Sequence, residues 1–324
     1  MSQLRLNPLA GRWVTVSGER AGRPAAFDPR MLPVEGEPGR PCPFCPGNEE
    51  ATPPALETYG SNGQWLVRVV PNLYPAFSGR EALAVRNLGP VFTQAPAHGI
   101  HEVLVLTPEH DASWADLDED QVGLVMAALR DRVEEHSTAA GVRYSQAIVN
   151  HGREAGASIA HPHAQLLGIP FVPRELADEE AGFARFVGGC VLCTTLEAEV
   201  EAGHRTVLED EGAVVVCPFW SGTPYELLVL PRAHEGHLDS AKPSDLYSVG
   251  HALQVVLERL RGLLGDVPYN LVVHTAPHRH DTTFHWHVHV FPKLTTKAGF
   301  EQGTGVLINI VPPETAAAEL RRAI

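Results

Sequence analysis

Two stretches of the chain share one pattern of hydrophobic and polar positions. In each, a short apolar run precedes a long segment of helical character, and two further β-rich runs follow. The apolar runs are EVLVLTP from Glu102 and ELLVLP from Glu226. The helical segments cover 116–141 and 244–265; the first has acidic residues in its first turn, and each closes on a glycine, as helices commonly do.

The β-rich runs that follow the helical segments are predicted strands. They cover 145–150 and 159–169 in the first stretch, and 270–275 and 284–291 in the second. Strands that surround a single long helix are typical of antiparallel sheets with helices packed on them. The sequence therefore predicts an α+β protein made of two tandem domains of this kind.

Single residues of the two stretches also coincide, at a constant offset of 124 positions (234 − 110). Each half opens with a Cys-x-x-Cys pair, and these pairs are 148 positions apart (190 − 42). Several features in the same order indicate an internal duplication. We predict domains at 1–171 and 190–324, joined by a linker at 172–189. The coinciding pairs are Glu102/Glu226, Leu104/Leu228, Val105/Val229, Leu106/Leu230, His110/His234, His161/His285 and His163/His287.

Composition excludes several classes of protein. The 324 residues are 44% hydrophobic and 20% charged, which are globular values. The net charge of −14 (25 − 39) argues against nucleic acid or an anionic membrane as partner. No apolar run reaches the roughly 20 residues that a bilayer span needs, and the opening MSQLRLNPLAGRW lacks the apolar core of a signal peptide. We expect a cytoplasmic protein.

Cysteine and histidine counts point to metal. The chain has five cysteines and seventeen histidines, and four of the cysteines form the two Cys-x-x-Cys pairs. In a reducing compartment such pairs are redox dithiols or halves of metal sites, and the many histidines favour metal. The fifth, Cys217, is predicted to be a buried packing residue.

Histidines also alternate along one predicted strand of each half. Because side chains alternate between the faces of a strand, His161, His163 and Gln165 should share a face, as should the His-x-His-x-His run at 285–289. Several imidazoles on one face are costly to bury unless they bind a metal, an anion or one another. A solvated polar face is the alternative.

Each half supplies two thiolates and two imidazoles, a set suited to tetrahedral structural zinc. The two histidines of each set are 51 positions apart (161 − 110 and 285 − 234). The second set could also hold iron, and His237 is an alternative to His234 within it. The predicted ligand sets are Cys42, Cys45, His110 and His161, and Cys190, Cys193, His234 and His285.

His163 then remains as a free imidazole. The small residues 156–160 precede it, and their backbone amides and the Ser158 hydroxyl could approach a phosphate closely. A neutral imidazole beside such a phosphate cradle is placed to attack phosphorus and form a phosphoramidate. Gln165 could donate a hydrogen bond to a phosphoryl oxygen.

These residues resemble a known family. HPHAQ at 161–165 resembles the transferase branch of the histidine-triad superfamily, which is the galactose-1-phosphate uridylyltransferase family with its ADP-glucose phosphorylase relatives. The likeness covers nearly the whole chain. It includes the segment 7–24 with Arg20 and Arg23, the zinc loop at 42–49 with Phe44, the nucleoside strand at 69–77 with Asn72, and TPEH ending at His110.

The resemblance implies a ping-pong cycle. His163 would become covalently nucleotidylated while a sugar 1-phosphate leaves, and a second phosphate acceptor would then take the nucleotidyl group. A homodimer is implied as well, with Arg20, Arg23 or the loop 299–309 completing the neighbouring site. The resemblance implies that the nucleotide sugar is bound by Arg20, Arg23, Phe44, Asn72, Asn150, Gly156, Ser158, Gln165, Glu301 and Thr304.

Three features bear on the subfamily. Uridylyltransferases of the best-known type carry Asn-Asp where this chain has Asn72-Leu73, and their second metal site includes a carboxylate to which Glu179 would correspond. The ending at 299–309 is closer to the phosphorylase branch. We predict a UDP-glucose–hexose-1-phosphate uridylyltransferase acting on a nucleotide sugar and a sugar 1-phosphate. Adenylyl transfer to phosphate, as in ADP-glucose phosphorylase, is the alternative.

Two other classes were weighed. A histidine-triad hydrolase would show His-x-His-x-His, which the second half has at 285–289, but there His280, Asp281 and Thr282 replace the cradle. A zinc-stabilised nucleotide-binding module without activity would leave the order of Ser158, His163 and Gln165 unexplained. The acidic run at 177–181 is interpreted as a solvated stretch, and Trp286 as a core residue.

Overall fold

The computed structural model describes most of the chain as a mixed fold of six helices and fifteen strands. The described residues are 2–22, 32–34, 41–61, 63–79, 81–280 and 283–323. The helices are α1 Glu119–Thr138, α2 Arg174–Arg185, α3 Val191–Ala202, α4 Pro243–Leu264, α5 Gly299–Thr304 and α6 Pro313–Arg322. The strands are β1 Gln3–Leu6, β2 Trp13–Val16, β3 Glu57–Ser61, β4 Gln64–Pro71, β5 Arg86–Asn87, β6 Thr93–Gln94, β7 Ile100–Val105, β8 Tyr144–His151, β9 His163–Ile169, β10 Thr206–Glu209, β11 Ala213–Val216, β12 Leu227–Pro231, β13 Tyr269–His274, β14 His287–Pro292 and β15 Leu307–Asn309.

Ten of these strands form one antiparallel sheet, in the order β10-β11-β12-β14-β13-β8-β9-β7-β4-β3. Each half of the chain contributes five strands, and the two sets run in the same order from the sheet edge to its centre. The halves meet where β8 pairs with β13, with Asn150 opposite Asn270. The α+β class with antiparallel sheets is thus confirmed, and the duplicated units share one continuous sheet.

The long helices cover one face of this sheet. Asp118 caps α1 by accepting a hydrogen bond from the backbone N–H of Gln121, and α4 begins at Pro243, where a missing N–H costs nothing. The two helices pack closely because Gly250 lies against α1, where an added Cβ would be 2.5 Å from Val122 Cγ1. The main apolar core lies between these helices and the sheet, and it contains Cys217 and Trp286, as predicted.

Among the described residues, helices cover the opposite face only in the second half. There α2 and α3 bury a second apolar cluster that includes Leu176, Phe183 and Leu192. In the first half this face carries His163, Gln165 and the other polar side chains described below. The duplication therefore leaves one half of the face available for a ligand.

The chain termini cross between the halves. β15, near the C-terminus, pairs in parallel with β2, and the Arg5 guanidinium donates to the Glu314 carboxylate at 2.9 Å. The predicted domain limits stay a prediction. Among the described residues, no helix combines the length and the apolar character needed to cross a bilayer.

Two predicted strands begin later than expected. The runs that contain His161 and His285 become β-strands only at His163 and His287. Pro162 has no N–H for a strand ladder, and both earlier histidines turn their Nε2 atoms to backbone carbonyls. His161 and His285 consequently lie in the segments that lead into β9 and β14.

Candidate active site and metal centres

The four residues of the first predicted zinc set lie together beside the sheet face that carries His163 and Gln165, which is called the active face below. One ligand atom from each of its four residues lies within 4.8 Å of the others. Cys45 Sγ is 3.3 Å from His110 Nδ1 and 3.6 Å from His161 Nδ1. Because His161 Nε2 donates to the Thr107 carbonyl at 2.8 Å, its Nδ1 atom keeps a lone pair for a metal.

The loop that carries the first cysteine pair is fixed by the sheet. The Arg68 guanidinium, on β4, donates to Pro43 O and Thr52 Oγ1, which flank the loop. Burial and the neighbouring Cys42 raise the pKa of the Cys45 thiol to about 11. A bound dication reverses this tendency, since metals bind cysteine as the thiolate.

The second predicted set repeats this arrangement. Cys193 Sγ is 3.4 Å from His285 Nδ1 and 3.5 Å from His234 Nδ1. His285 Nε2 donates to the Pro231 carbonyl at 3.0 Å, and residue 231 lies 124 positions after Thr107 (231 − 107). The duplication therefore extends to the carbonyl that orients each ligand. His237, the alternative ligand, bonds the His280 carbonyl instead.

A third cluster was not predicted. Glu179, His274, His287 and His289 are all buried, and one ligand atom from each lies within 4.8 Å of the others. Glu179 approaches His274 Nδ1 to 3.0 Å and His287 Nε2 to 3.9 Å. Within the described part of the chain, His287 Nε2 and His289 Nδ1 are buried without a hydrogen-bond partner. Such orphaned nitrogens beside a carboxylate fit a metal ion.

The interpretation of 177–181 as solvated is therefore wrong for Glu179, which is 4% exposed. Glu179 shares one face of α2 with Leu176 and Phe183, at spacings of three and four residues. That spacing is the sequence signal that could have revealed it. Burial alone would raise the pKa of Glu179, but His274 and His287 outweigh it and hold the pKa below its usual range.

His163 is oriented as a nucleophile. Its Nδ1 atom donates to the His161 carbonyl at 2.9 Å, which leaves the Nε2 lone pair free. Burial lowers the pKa of His163, although this carbonyl acts in the opposite direction, so the ring is neutral near pH 7. The Phe44 ring lies 5.3 Å from the imidazole, centre to centre. With His163 only 6% exposed and His161 fully buried, the alternative of a solvated histidine face is wrong.

The predicted phosphate cradle, 156–160, directly follows a tight turn between β8 and β9. Gly152 and Gly156 flank a short 3₁₀ turn and adopt φ values of 82° and 93°, which favour glycine. Gly156 and Ser158 are exposed, on the segment that leads into His163. Asn150 is the second-last residue of β8, and Asn270 of the second half donates to its Oδ1 atom at 2.7 Å. The cradle is thus exposed to a ligand, and Asn150 on the neighbouring strand is fixed by a hydrogen bond from the second half.

Gln165 has a partner that the sequence analysis missed. Its Oε1 atom lies 2.9 Å from His101 Nε2, and the Nδ2 atom of Asn72 lies 3.1 Å from the same nitrogen. His101 lies on β7, one residue before the predicted strand run. Extending the alternation of that run backwards by one residue would have placed His101 on the same face as Gln165.

The remaining predicted substrate contacts are exposed or hydrogen-bonded within their own elements. Arg20 is exposed in a 3₁₀ turn, Glu301 accepts the Ala298 N–H, and Thr304 donates to the Phe300 carbonyl within α5. Their substrate roles stay predictions. Arg23, Asp281 and Thr282 lie outside the described residues.

Comparison with known sequences agrees with this geometry. The family described as galactose-1-phosphate uridyl transferase matches with its N-terminal domain over residues 1–173 and its C-terminal domain over residues 177–311. An ADP-glucose phosphorylase of Arabidopsis thaliana is 32% identical, over 98% of this chain and 92% of its own length. A galactose-1-phosphate uridylyltransferase of Thermotoga maritima is 30% identical, over 99% and 98%.

Solved structures give the same result. The crystal structure of an ADP-glucose phosphorylase from Arabidopsis thaliana with bound ADP-glucose superposes with a TM-score of 0.86 at 29% identity, covering 100% of this chain and 99% of its own. A uridylyltransferase structure superposes with a TM-score of 0.77 at 25% identity, covering 100% and 98%. Both similarities extend over the two halves and the sheet that joins them.

Proposed function

The chain belongs to the galactose-1-phosphate uridyl transferase family and is therefore a nucleotidyltransferase, and we propose that it transfers the nucleotidyl group in two steps through His163. The observation that carries the proposal is the orientation of this ring. Its Nδ1 proton is held by the His161 carbonyl, its Nε2 lone pair is free, and the phosphate cradle precedes it in the chain.

In the first step, the Nε2 lone pair attacks the α-phosphorus of a nucleotide sugar. A P–N bond forms, the bond from the α-phosphorus to the bridging oxygen breaks, and sugar 1-phosphate leaves with that oxygen. The imidazole gains positive charge as the bond forms, and the His161 carbonyl stabilises it through the Nδ1 proton. In the second step, an oxygen of the acceptor phosphate attacks the same phosphorus and the P–N bond breaks, which regenerates neutral His163.

For the substrates, uridylyl transfer between UDP-glucose and a hexose 1-phosphate is the first candidate. A second candidate is adenylyl transfer from ADP-glucose to inorganic phosphate. It is favoured by the higher similarity to ADP-glucose phosphorylase, at 32% against 30% identity and a TM-score of 0.86 against 0.77. It also agrees with Leu73, which is 57% exposed beside Asn72 and brings no carboxylate to the site.

A hydrolase based on the second half is not supported. His287 and His289 occupy the positions of His163 and Gln165 in the repeat, offset by 124 (287 − 163). Their ligand atoms lie within 4.8 Å of a Glu179 carboxylate oxygen and of His274, an arrangement that favours metal binding over a nucleophilic role. The second half instead supplies metal sites and support.

Zinc fits the two sets of paired cysteine and histidine, because thiolate and imidazole are its preferred tetrahedral ligands. These sets are closed by four protein ligands, so their role is structural. The third cluster, with three imidazoles and one carboxylate, suits zinc or iron. There the ion would tie α2 to β13 and β14.

A homodimer is part of the proposal. The β5–β6 hairpin exposes apolar side chains, with Val91 78% and Phe92 64% exposed, and Phe300 on α5 is 52% exposed. Apolar patches of this kind mark association surfaces. We expect light scattering to give twice the chain mass of 35.1 kDa, and a monomer at working concentration would contradict this part of the proposal.

The decisive experiment is intact-mass measurement after incubation with UDP-glucose, UDP-galactose or ADP-glucose. A gain of one UMP or one AMP identifies the base, and loss of the adduct on adding galactose 1-phosphate or phosphate identifies the acceptor. His163→Gly should give no adduct and keep its zinc, whereas His161→Gly should lose zinc. His204→Gly, at an exposed histidine, is the control and should behave as wild type. If none of the three nucleotide sugars gave an adduct, the mechanism would be overturned.

A further inference from the structure

We propose that His101 is a positioning residue for the transfer reaction: its ring fixes the Gln165 amide so that the NH2 group faces the substrate. The inference deepens the proposed function and rests on it. It starts from the two ring nitrogens of His101, each of which has a different partner. His101 itself is half-buried on β7, on the same face of the sheet as Gln165.

The backbone determines the tautomer of His101. The Ala76 N–H points at His101 Nδ1 from 3.0 Å, and a backbone amide can only donate. Nδ1 is therefore the acceptor, and a neutral ring carries its proton on Nε2. The loop that provides this N–H is itself tied to β7, because the Asn72 N–H donates to the His101 carbonyl at 2.8 Å.

The Nε2 proton then determines the orientation of Gln165. The nearest acceptor is Gln165 Oε1, at 2.9 Å. With the amide turned the other way, two donors would face each other at this distance. The carboxamide oxygen is therefore held by His101, and the NH2 group is the part left for a ligand. Because Gln165 follows His163 by two residues on one strand, that group lies on the nucleophile's side of the sheet.

Beside the same ring, the side-chain NH2 group of Asn72 stays available to donate hydrogen bonds. Its Oδ1 atom accepts the Tyr74 N–H at 2.9 Å, so its NH2 group is the part that faces His101 Nε2. Both atoms then carry hydrogen, so this 3.1 Å contact joins two donors. Rotation of the Asn72 side chain relieves it, whereas the other tautomer would set the Nδ1 proton against the Ala76 N–H, which the backbone fixes. Two amide groups, from Asn72 and Gln165, thus keep hydrogens available around one imidazole. A phosphoryl or ribose oxygen of the nucleotide is the acceptor chemistry that this arrangement fits.

Single-turnover formation of the His163 adduct tests the proposal. We expect His101→Ala to slow adduct formation about tenfold, the effect of one oriented hydrogen bond, with the dissociation constant of the nucleotide sugar changed less than about threefold. His101→Gln places an amide N–H near the Nε2 position and should restore most of the rate. His101→Asn is the matched control, since its shorter amide reaches only the Nδ1 position and should resemble alanine.

A double-mutant cycle separates positioning from a general structural role. If His101 acts through Gln165, then His101→Ala should change the rate less than about twofold in a Gln165→Ala background. Zinc content and melting temperature should match wild type in all these variants. Full additivity of the two substitutions, or a wild-type rate in His101→Ala, would overturn the positioning role while leaving the proposed transfer intact.

The tautomer is tested without any reaction. In protein labelled with ¹⁵N-histidine, the NMR signals that disappear in His101→Gln belong to this ring and should show a proton on Nε2 and none on Nδ1. A proton on Nδ1, or on both nitrogens at pH 7, would overturn the inference. If wild type forms no adduct with any nucleotide sugar, the proposed function fails together with the positioning role, and the tautomer measurement still stands by itself.

Discussion

Asn270 donates its side-chain amide to the Oδ1 atom of Asn150 at 2.7 Å, across the junction between the two halves of the sheet. The same amide also donates to the Ala155 carbonyl at 2.8 Å, in the turn that precedes the phosphate cradle. The Asn150 oxygen is thereby occupied, and its NH2 group is free. The second half, whose own nucleophile position is buried, thus supports the active face of the first.

This contact gives a prediction for Asn270→Asp. Aspartate keeps the shape but replaces the donor with an oxygen that faces two acceptors, Asn150 Oδ1 and the Ala155 carbonyl. We expect nucleotidyl transfer to fall about tenfold or more, as for the loss of two partly buried hydrogen bonds, with zinc content unchanged. Asn87→Asp makes the same chemical change in the exposed β5–β6 hairpin and should have no effect. Equal rates for the two variants would contradict a supporting role.

Metal content should respond to the three clusters separately. We expect elemental analysis of wild type to give about two zinc ions, with one further zinc or iron ion in the third cluster. Cys193→Ser should lose one zinc because it removes a thiolate ligand. Glu179→Gln keeps the size of the side chain and removes its charge, so it should release the ion of the third cluster and leave the zinc ions in place. Unchanged metal content in Glu179→Gln would show that the third cluster binds none.

The ion pair between Arg132 and Glu102 should matter for stability. Arg132, on α1, donates to both carboxylate oxygens of Glu102, on β7, at 2.9 and 2.7 Å, and both side chains are buried. Arg132→Met leaves a buried carboxylate without its cation, which should cost about 3–5 kcal/mol of unfolding free energy. Arg130→Met is the control, since its partly exposed pair with Asp131 should be worth less than about 1 kcal/mol. Urea titrations of both variants would measure the difference.

The titration of Glu226 should lower the free energy of unfolding as pH rises. Burial raises its pKa to about 7, although the backbone N–H groups of Gly222 and Thr223 act in the opposite direction. Between the unfolded pKa of about 4.3 and the folded value, the unfolded chain releases this proton while the folded protein keeps it. This contribution to stability is therefore lost as pH rises through that window and then levels off.

Glu226→Gln stays neutral at every pH, so its stability relative to wild type should increase by about 2 kcal/mol between pH 5 and pH 8. Unfolding free energies at several pH values would measure this gap. Glu211→Gln, at an exposed carboxylate in the turn between β10 and β11, should run parallel to wild type. A constant gap for Glu226→Gln would mean that Glu226 titrates normally.

The features that the sequence predicted well are those that the duplication repeats. The strand order around each long helix and the two sets of thiolates and imidazoles recur at fixed offsets, and the structure brings the four residues of each set together. Residues that recur at a fixed offset can be distinguished from residues that match by chance. The role of Cys217 was readable for a different reason, since an isolated cysteine in an apolar run has only packing to contribute.

Two residues whose roles were missed, Glu179 and His101, act outside the repeat. Glu179 lies on α2 and has no counterpart at the offset, and only the resemblance to uridylyltransferases associated it with a metal site. Without that resemblance it looks like its solvated neighbours until α2 is placed against the sheet. His101 depends on a backbone N–H from a loop some 25 residues earlier (101 − 76), which no local pattern shows. The pairing that joins the two halves into one sheet could not be predicted either. The sequences of β8 and β13 have the same pattern whether these strands pair with each other or lie at the edges of two separate sheets.

The pairing of β8 with β13 has a consequence for how the two halves came to differ. A single copy of this unit would expose its innermost strand as an open edge, and two identical copies would close that edge by pairing it around a two-fold axis. In such a symmetric dimer any substitution changes both sites, because the two copies have the same sequence. Fusion into one chain removes that restriction. In this chain α2 packs on the second half and brings Glu179 to its histidines, so this helix makes the two halves unlike.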